Sequence, residues 1–432
     1  MDRALEAWAS GDHVEALRGV LPLVEAQPDA PLALLACSYL AAKLAEPAPF
    51  AEGLRAAAER AVDLGNLPLA IAGGVFAREF GLDSGAIYAA AAQAFGLGST
   101  RIKRQAPPAL PTPLPDAKPL PATLASAALV ERAKKAVKVA TEKLLTHPES
   151  GGPLPAAPLF SSLDQSALRA FIEIFETKLF PTGAKVLEEG ALGGEAFVVA
   201  RGELDVSRHA LGAAGPIHLA RLGNGALVGE MALLSRAPRA ATVTAACPVL
   251  LLVAHKQALD LAVEANPPLG VEFAEHCRRR MLDNLVRTGP ILRSVNPSER
   301  TELVQRFAIR TFEPGERLIS QGKNAEGLYL VASGEVAVLH QEPNGESTLV
   351  ARLGPGEVVG EVALVFRRPA IADVVAHHPT ITLFLPRERF LEAVHAHPRV
   401  FVDLYELAAR RDEETSSIAK LEAANLDDSI LV

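Results

Sequence analysis

Apolar positions along the chain recur with two different periods, and the change of period divides it. Up to about residue 97 they return every three or four residues, as in Val14-Leu17-Leu21-Val24 and Leu54-Ala57-Ala58-Ala61-Val62, the spacing that gathers them on one face of a helix. Gly11-Asp12, Pro28-Asp29, Pro47 to Pro49, Gly65-Asn66 and Gly81-Leu82-Asp83 punctuate this pattern, so residues 1–97 predict a helical-hairpin module of five or six short helices. Residues 98–124 hold Pro107, Pro108, Pro111, Pro113, Pro115, Pro119 and Pro121 and read as a semi-rigid, extended linker. Helical spacing returns over 125–147, with Leu129, Ala133, Ala136-Val137, Ala140 and Leu144 on one face and Arg132, Lys134, Lys135, Lys138 and Lys143 on much of the other. Such a basic amphipathic helix is expected to pack its apolar face on the following domain and leave its cations in water.

From Pro158 the period falls toward two. Phe180 to Val186, Ala196 to Ala200, Glu203 to Ser207, Ile217 to Leu222 and Val243 to Val253 are strand-like runs set off by Gly183, Gly190, Gly194 and Gly202. This spacing of short strands is that of a double-sheet jelly roll. Helical patterns flank it, at Leu163 to Phe175 before and Leu259 to Val286 after. The whole unit then repeats. Pro158 to Leu163 returns as Pro290 to Val295, Phe180-Pro181-Thr182-Gly183 as Phe312-Glu313-Pro314-Gly315, and Arg201-Gly202-Glu203 as Ser333-Gly334-Glu335. The second copy trails by 132 residues at Gly334 and by 131 at Gly360, so one residue is lost in the intervening hairpin, where loops tolerate it. The fold class is therefore α+β multidomain, an N-terminal all-α module followed by two tandem β jelly rolls at 155–286 and 287–415. After these, Val402 to Arg411 reads as helix and 416–432 as an acidic tail.

The run from Gly229 to Thr242 holds the densest candidate chemistry. Gly229 lets the backbone turn sharply, and Glu230 opens about one helical turn whose free N–H groups favour an anion. Arg239, aimed by Pro238, offers a planar guanidinium for a phosphate. Glu230 repels a phosphate but suits a sugar hydroxyl a few ångströms away, so the ligand implied is a phosphate joined to a ribose.

This run closely resembles the phosphate-binding cassette of cyclic-nucleotide-binding domains, most of all that of the regulatory subunit of cAMP-dependent protein kinase, with a Gly-Glu-x-Ala-Leu start and a Pro-Arg-Ala-Ala-Thr end. The resemblance covers about Pro158 to Arg411. It implies a non-enzymatic cyclic-nucleotide sensor whose ligand, preferably cAMP, is held by Gly229, Glu230, Met231, Ala232, Arg239 and Ala240. In that family a hydroxyl residue directly after the arginine favours guanine, and here Ala240 stands there. The second copy departs from the pattern. It keeps Glu361 but places Ala370 opposite Arg239 and Asp373 opposite Thr242, leaving at most a weak site at Gly360, Glu361 and Arg368. Regulatory subunits also carry a basic pseudosubstrate ahead of these domains. Lys103-Arg104-Gln105-Ala106 is loosely similar, but Pro107 takes the place of an apolar residue, and solvated linker charge is the favoured reading. The N-terminal helix pairs are faintly similar to tetratricopeptide repeats without a clean consensus, a plain bundle being an equal reading.

Composition narrows the function further. The chain has 432 residues, 49% hydrophobic and 22% charged, with a net charge of −8. Enough apolar mass is present for several cores, and the acidic balance disfavours nucleic acid as partner. Cys37, Cys247 and Cys277 lie far apart and read as reduced thiols in the cytoplasm. The start lacks a signal-peptide pattern, and the apolar run Pro31 to Ala42 meets Lys43 too soon to span a bilayer, so no membrane association is expected. Neither a His-Arg-Asp nor an Asp-Phe-Gly kinase signature occurs. The residues after the second jelly roll are too few for a winged helix-turn-helix, which needs on the order of sixty more. Trp8 and Tyr39 read as packing aromatics. His377-His378 and His395-Ala396-His397 read as loop and helix-surface residues, with no metal expected. The partner is then a protein, unidentified, met through the N-terminal helices. A scaffold with two degenerate nucleotide domains and a transcription regulator using the basic segment are the alternatives.

Overall fold

The computed structural model describes residues 1–103, 114–115, 117–146, 152–209, 215–235, 238–288, 295–296, 303, 306–342 and 345–429. Arg104, Gln105, Ala106 and the prolines from 107 to 113 lie outside them, as do Pro290 to Ser294. The chain divides into two compact units, one comprising Met1–Glu189, Gly194–Leu233 and Ala241–His276, the other Gly190–Gly193, Leu234–Ala240 and Cys277–Val432.

The first unit begins with helices α1 (Asp2–Ala9), α2 (His13–Ala26), α3 (Pro31–Leu44), α4 (Ala51–Asp63), α5 (Leu67–Glu79) and α6 (Gly85–Phe95). Their starts follow from local chemistry: Asp12 accepts from the Glu15 N–H and Asn66 from the Leu69 N–H, filling donors that a helix start leaves open. Helices α3 and α5 are buried along almost their whole length. Trp8, Tyr39 and Phe76 stack on one another, the Tyr39 and Phe76 rings 4.2 Å apart, so the two aromatics singled out in the sequence are packing residues.

Helix α7 (Ser126–Thr146) returns onto this bundle. Leu129, Ala133, Val137 and Ala140 are buried, Arg132 reaches Glu25 at 2.6 and 2.8 Å, and Lys143 lies 3.7 Å from Asp29. Its apolar face thus packs on the helices before it, against α2, α3 and α4, where the sequence pointed to the domain after it. The buried apolar face sets this packing, and Glu25 of α2 and Asp29 in the turn after it give part of the basic face a partner. The proline-rich stretch is also held at its far end. Arg18, nearly buried, donates from Nη1 to the carbonyls of Pro121 and Leu124 at 3.0 and 2.9 Å, partners for part of a guanidinium withdrawn from water.

After α8 (Gln165–Glu173) the first jelly roll runs β1 (Glu176–Phe180), β2 (Lys185–Leu187), β3 (Glu195–Arg201), β4 (Leu204–His209), β5 (Pro216–Leu222), β6 (Leu227–Val228), α9 (Glu230–Ser235), β7 (Thr242–Ala245) and β8 (Val249–His255). Two antiparallel sheets, ordered β1-β8-β3-β6 and β2-β7-β4-β5, enclose Leu187, Phe197, Val199, Leu204, Val228, Val243, Leu251 and Val253. Two apolar runs that look continuous in the sequence each divide between the sheets. Pro181-Thr182-Gly183 separates β1 from β2, and Ala246-Cys247-Pro248 separates β7 from β8, proline lacking the donor a ladder needs. The helical module docks directly on this domain. Arg78 donates to the Phe175 carbonyl at 2.5 Å, the Leu97 N–H to that of Leu163 at 2.7 Å, and Glu6 accepts from the Thr182 N–H at 3.0 Å.

The predicted helix Leu259 to Val286 is two helices, α10 (Lys256–Ala265) and α11 (Pro267–Thr288). Pro267 disfavours helical geometry at Asn266, whose ψ is 81°.

The second jelly roll lies in the second unit. It comprises β9 (Ala308–Phe312), β10 (Arg317–Ile319), β11 (Gly327–Ser333), β12 (Val336–Gln341), β13 (Ser347–Leu353), β14 (Val358–Val359), α12 (Glu361–Val365), β15 (Asp373–Ala376) and β16 (Thr380–Pro386). Its sheets, β14-β11-β16-β9 and β10-β15-β12-β13, repeat the first domain strand for strand. Helices α13 (Arg387–Ala396) and α14 (Pro398–Ser429) follow. Helix α14 runs well past Arg411 into the stretch read as an acidic tail. No proline or glycine interrupts 399–429, so charge alone does not end the helix.

Candidate functional site

In each jelly roll the same loop frames the cassette, and backbone hydrogen bonds fix it identically. In the first, the Gly190 N–H donates to the Arg239 carbonyl and the Arg239 N–H to that of Ala191, both at 2.9 Å. In the second, Gly322 donates to Ala370 and Ala370 to Lys323, both at 2.8 Å. The pairing sets Ala370 in the place of Arg239, as the sequence repeat requires. One residue earlier the Glu189 N–H donates to Thr242 Oγ1 at 3.1 Å, and its counterpart Gln321 donates to Asp373 Oδ1 at 2.7 Å. Asp373 therefore does in the second loop what Thr242 does in the first.

The first cassette opens from β6 at Gly229, whose φ is +79°, a left-handed conformation that side chains disfavour. Glu230 follows at 4% exposure and Arg239 lies at 7%. Two charged side chains withdrawn this far from water require partners, and both make such interactions. Met231 is half-buried and Ala240 exposed, while the side chain of Ala232 lies outside the described residues. A Cβ added to Gly193 would stand 2.8 Å from Nη2 of Arg239, so the guanidinium lies across a stretch of bare backbone. Sequence reasoning missed Gly193. The repeat carried the signal, because its counterpart is Ala325, buried at 4%. The second domain has exchanged a glycine–arginine pair for two alanines.

Gly360, with φ +92° and a hypothetical Cβ only 2.7 Å from the Gly327 carbonyl oxygen, repeats the turn of Gly229. Glu361 then diverges in its partners. Its carboxylate, 2% exposed as a residue, accepts from Arg411 Nη1 at 2.7 Å, and the same nitrogen donates to the Val358 carbonyl at 2.5 Å. Arg411 also lies 3.7 Å from Glu357. Arg368, the other charged member of the weak second site, pairs with Asp412 and rests 5.3 Å from the Phe366 ring. Arg367 is exposed at φ +52°. The second cassette is thus bound to α14 by two ion pairs, with Tyr405 edge-on to Phe366 at 5.7 Å. Asp373 is likewise compensated, by Gln341 at 3.1 Å and Arg317 at 3.3 Å.

Comparison with known proteins finds similar sequences and structures. The family model "Cyclic nucleotide-binding domain" matches residues 177–266 and again 309–397. A cAMP-dependent protein kinase regulatory subunit from Yarrowia lipolytica is 33% identical over 218 residues, 50% of this chain and 54% of that protein. The chain therefore spans about half the length of the curated relative it matches. Among solved structures, the regulatory domain of Toxoplasma gondii PKA in co-crystal with cAMP is 26% identical, covering 59% of this chain and 92% of that one with a TM-score of 0.28. The catabolite activator protein of Thermus thermophilus is 32% identical over 33% of this chain and 63% of its own, also at 0.28.

The two jelly rolls each match the cyclic nucleotide-binding domain model, in tandem. They resemble those of the regulatory subunit of cAMP-dependent protein kinase. Among the described residues no helix is long and apolar enough to cross a membrane.

Proposed function

We propose that this protein is a non-enzymatic cAMP sensor in which the first jelly roll binds one nucleotide and the second binds none. The carrying observation is the contrast between Gly193 with Arg239 and Ala325 with Ala370 in two loops of the same backbone design. Arg239 holds the cyclic phosphate and Glu230 the ribose hydroxyl, with Gly229, Met231, Ala232 and Ala240 completing the cassette. Exposed Ala240 offers a purine amino group no hydroxyl, which favours cAMP over cGMP. The second cassette has no guanidinium at the phosphate position, and its ribose carboxylate is taken by Arg411.

The helices docked on the first domain give the nucleotide a route to a protein partner: Glu6 on Thr182 and Arg78 on Phe175 tie α1 and α5 to the two ends of β1. A ligand shifts such contacts only through its differential affinity for two arrangements. Cys37, Cys247 and Cys277, none of them in a disulfide, suit a cytoplasmic setting. Calorimetric titration of the full chain with cAMP tests the reading. One site per chain, abolished by Arg239→Ala and retained in Glu361→Ala, is the expected result. Two comparable sites, or binding that ignores Arg239, would overturn it.

A further inference from the structure

At the end of the second jelly roll away from α12, two turns bring three metal-competent side chains together. One is Ser333-Gly334-Glu335, between β11 and β12; the other is His377-His378-Pro379, between β15 and β16. Backbone bonds lock them to each other. The Glu335 carbonyl accepts from the His377 and His378 N–H groups at 2.9 and 3.3 Å, and from Thr380 Oγ1 at 3.1 Å. The side chains of Glu335, His377 and His378 each offer a ligand atom within 4.8 Å of the others, and the two rings stand 4.5 Å apart at 65°. Glu335 and His378 are half-buried and His377 is exposed, so the cluster is braced on one side and open to solvent on the other.

The first jelly roll supplies an internal control. Its corresponding turn is held by the same bond, from the Ala246 N–H to the Glu203 carbonyl at 2.9 Å. Arg221 stands 3.6 Å from Glu203 there, as Arg352 stands 2.9 Å from Glu335. The residues matching His377 and His378 are Ala246 and Cys247. The turn therefore forms without imidazoles, and the pair of histidines answers no demand of the fold.

We propose that Glu335, His377 and His378 form a binding site for one divalent transition cation of the zinc class. Two imidazole nitrogens with one carboxylate are a donor set for borderline ions and not for magnesium or calcium, which take oxygen. Arg352 bonds Glu335 Oε1 and leaves Oε2 for the ion, the outer partner orienting the ligating carboxylate. Zinc–nitrogen and zinc–oxygen bonds are about 2.0–2.2 Å, so the ligands must close together. The exposed His377 ring makes most of that movement, because both backbones are already fixed. Water completes the coordination on the open side. The ion would clamp the β15–β16 turn to the β11–β12 turn and stabilise the domain by mass action.

The test uses the full chain, stripped with a chelator and titrated with Zn2+ by calorimetry and with Co2+ by visible absorption. One ion per chain is expected, with a zinc-dependent rise in melting temperature and no response to Mg2+. His377→Ala, His378→Ala and Glu335→Gln should each weaken binding at least about tenfold, and the double histidine variant should lose the thermal shift. Cys247→Ser and His395→Ala are expected to change nothing. Each variant is checked for folding by circular dichroism, a readout independent of the first cassette. Zinc binding that survives in the double histidine variant, or no binding by the unmodified chain below millimolar zinc, would overturn the proposal.

Discussion

Arg239 and its neighbour Gly193 show how one residue makes room for another. The guanidinium lies against the Gly193 backbone so closely that an alanine Cβ would fall 2.8 Å from Nη2. Gly193→Ala should therefore displace the phosphate ligand and weaken cAMP binding at least tenfold with little loss of stability, as measured by titration beside thermal melting. An unchanged affinity would show that the guanidinium has another path to the phosphate. Truncating Arg239 itself should cost about 2–5 kcal/mol of binding, the range for removing one partner of a buried charge pair. Ala240→Thr should raise cGMP affinity relative to cAMP, and a competition assay reads the ratio. Far from the cassette, burial pushes the Cys37 thiol up to about 12. Thiolate is the reactive form, so Cys37 should resist alkylation near neutral pH until the helical module unfolds. The sequence makes Glu230 and Arg239 legible because they sit in one short run. It could not reveal Gly193, whose role depends on a contact across the loop, nor Arg317 and Arg411, whose partners Asp373 and Glu361 lie many residues away.

At the scale of elements, the legible features are those set by local periodicity. Six hairpin helices, a basic amphipathic helix and two sets of strands all stand close to where their patterns place them. The misreadings arise where a proline or a distant partner decides. Pro267 splits one expected helix, and Pro248 divides an apolar run between two sheets. Helix α7 buries Leu129, Ala133, Val137 and Ala140 on the earlier bundle, where Glu25 and Asp29 also meet its cations. Helix α14 extends through acidic sequence while its inner side holds Leu404, Ala408 and Thr415 buried and brings Arg411 to Glu361. That last contact makes a direct prediction. Arg411→Ala leaves a carboxylate buried without its cation, a change of up to about 3–5 kcal/mol in the general case. Domain stability in denaturant should fall toward that range, with partial recovery in Arg411→Lys. The 18% exposure of the Arg411 side chain places the expected loss at the lower end. A loss within a few tenths of a kcal/mol would mean that water replaces Arg411 at no cost.

For the whole molecule the repeat is the informative feature, since two copies of one backbone let each difference be read against a control. Where the first copy has Gly193 with Arg239, the second has Ala325 with Ala370, both buried. Asp373, opposite Thr242, adds a negative charge beside the second cassette. The geometry gives it another part: it fixes the loop through the Gln321 N–H, as Thr242 does through Glu189, and Arg317 balances its charge. A second nucleotide site should therefore not require Asp373→Thr. It should require room, a cation and a free ribose carboxylate. Ala370→Arg alone is expected to leave the calorimetric stoichiometry at one, because the Ala325 methyl occupies the guanidinium's place and Arg411 holds Glu361. Ala325→Gly, Ala370→Arg and Arg411→Ala together supply all three conditions, and the stoichiometry should rise toward two while the first site keeps its affinity. If Ala370→Arg by itself created the second site, the steric part of this account would be wrong. If the triple variant stayed folded and bound one nucleotide, the departure of the second cassette would lie in its walls and not in its charges.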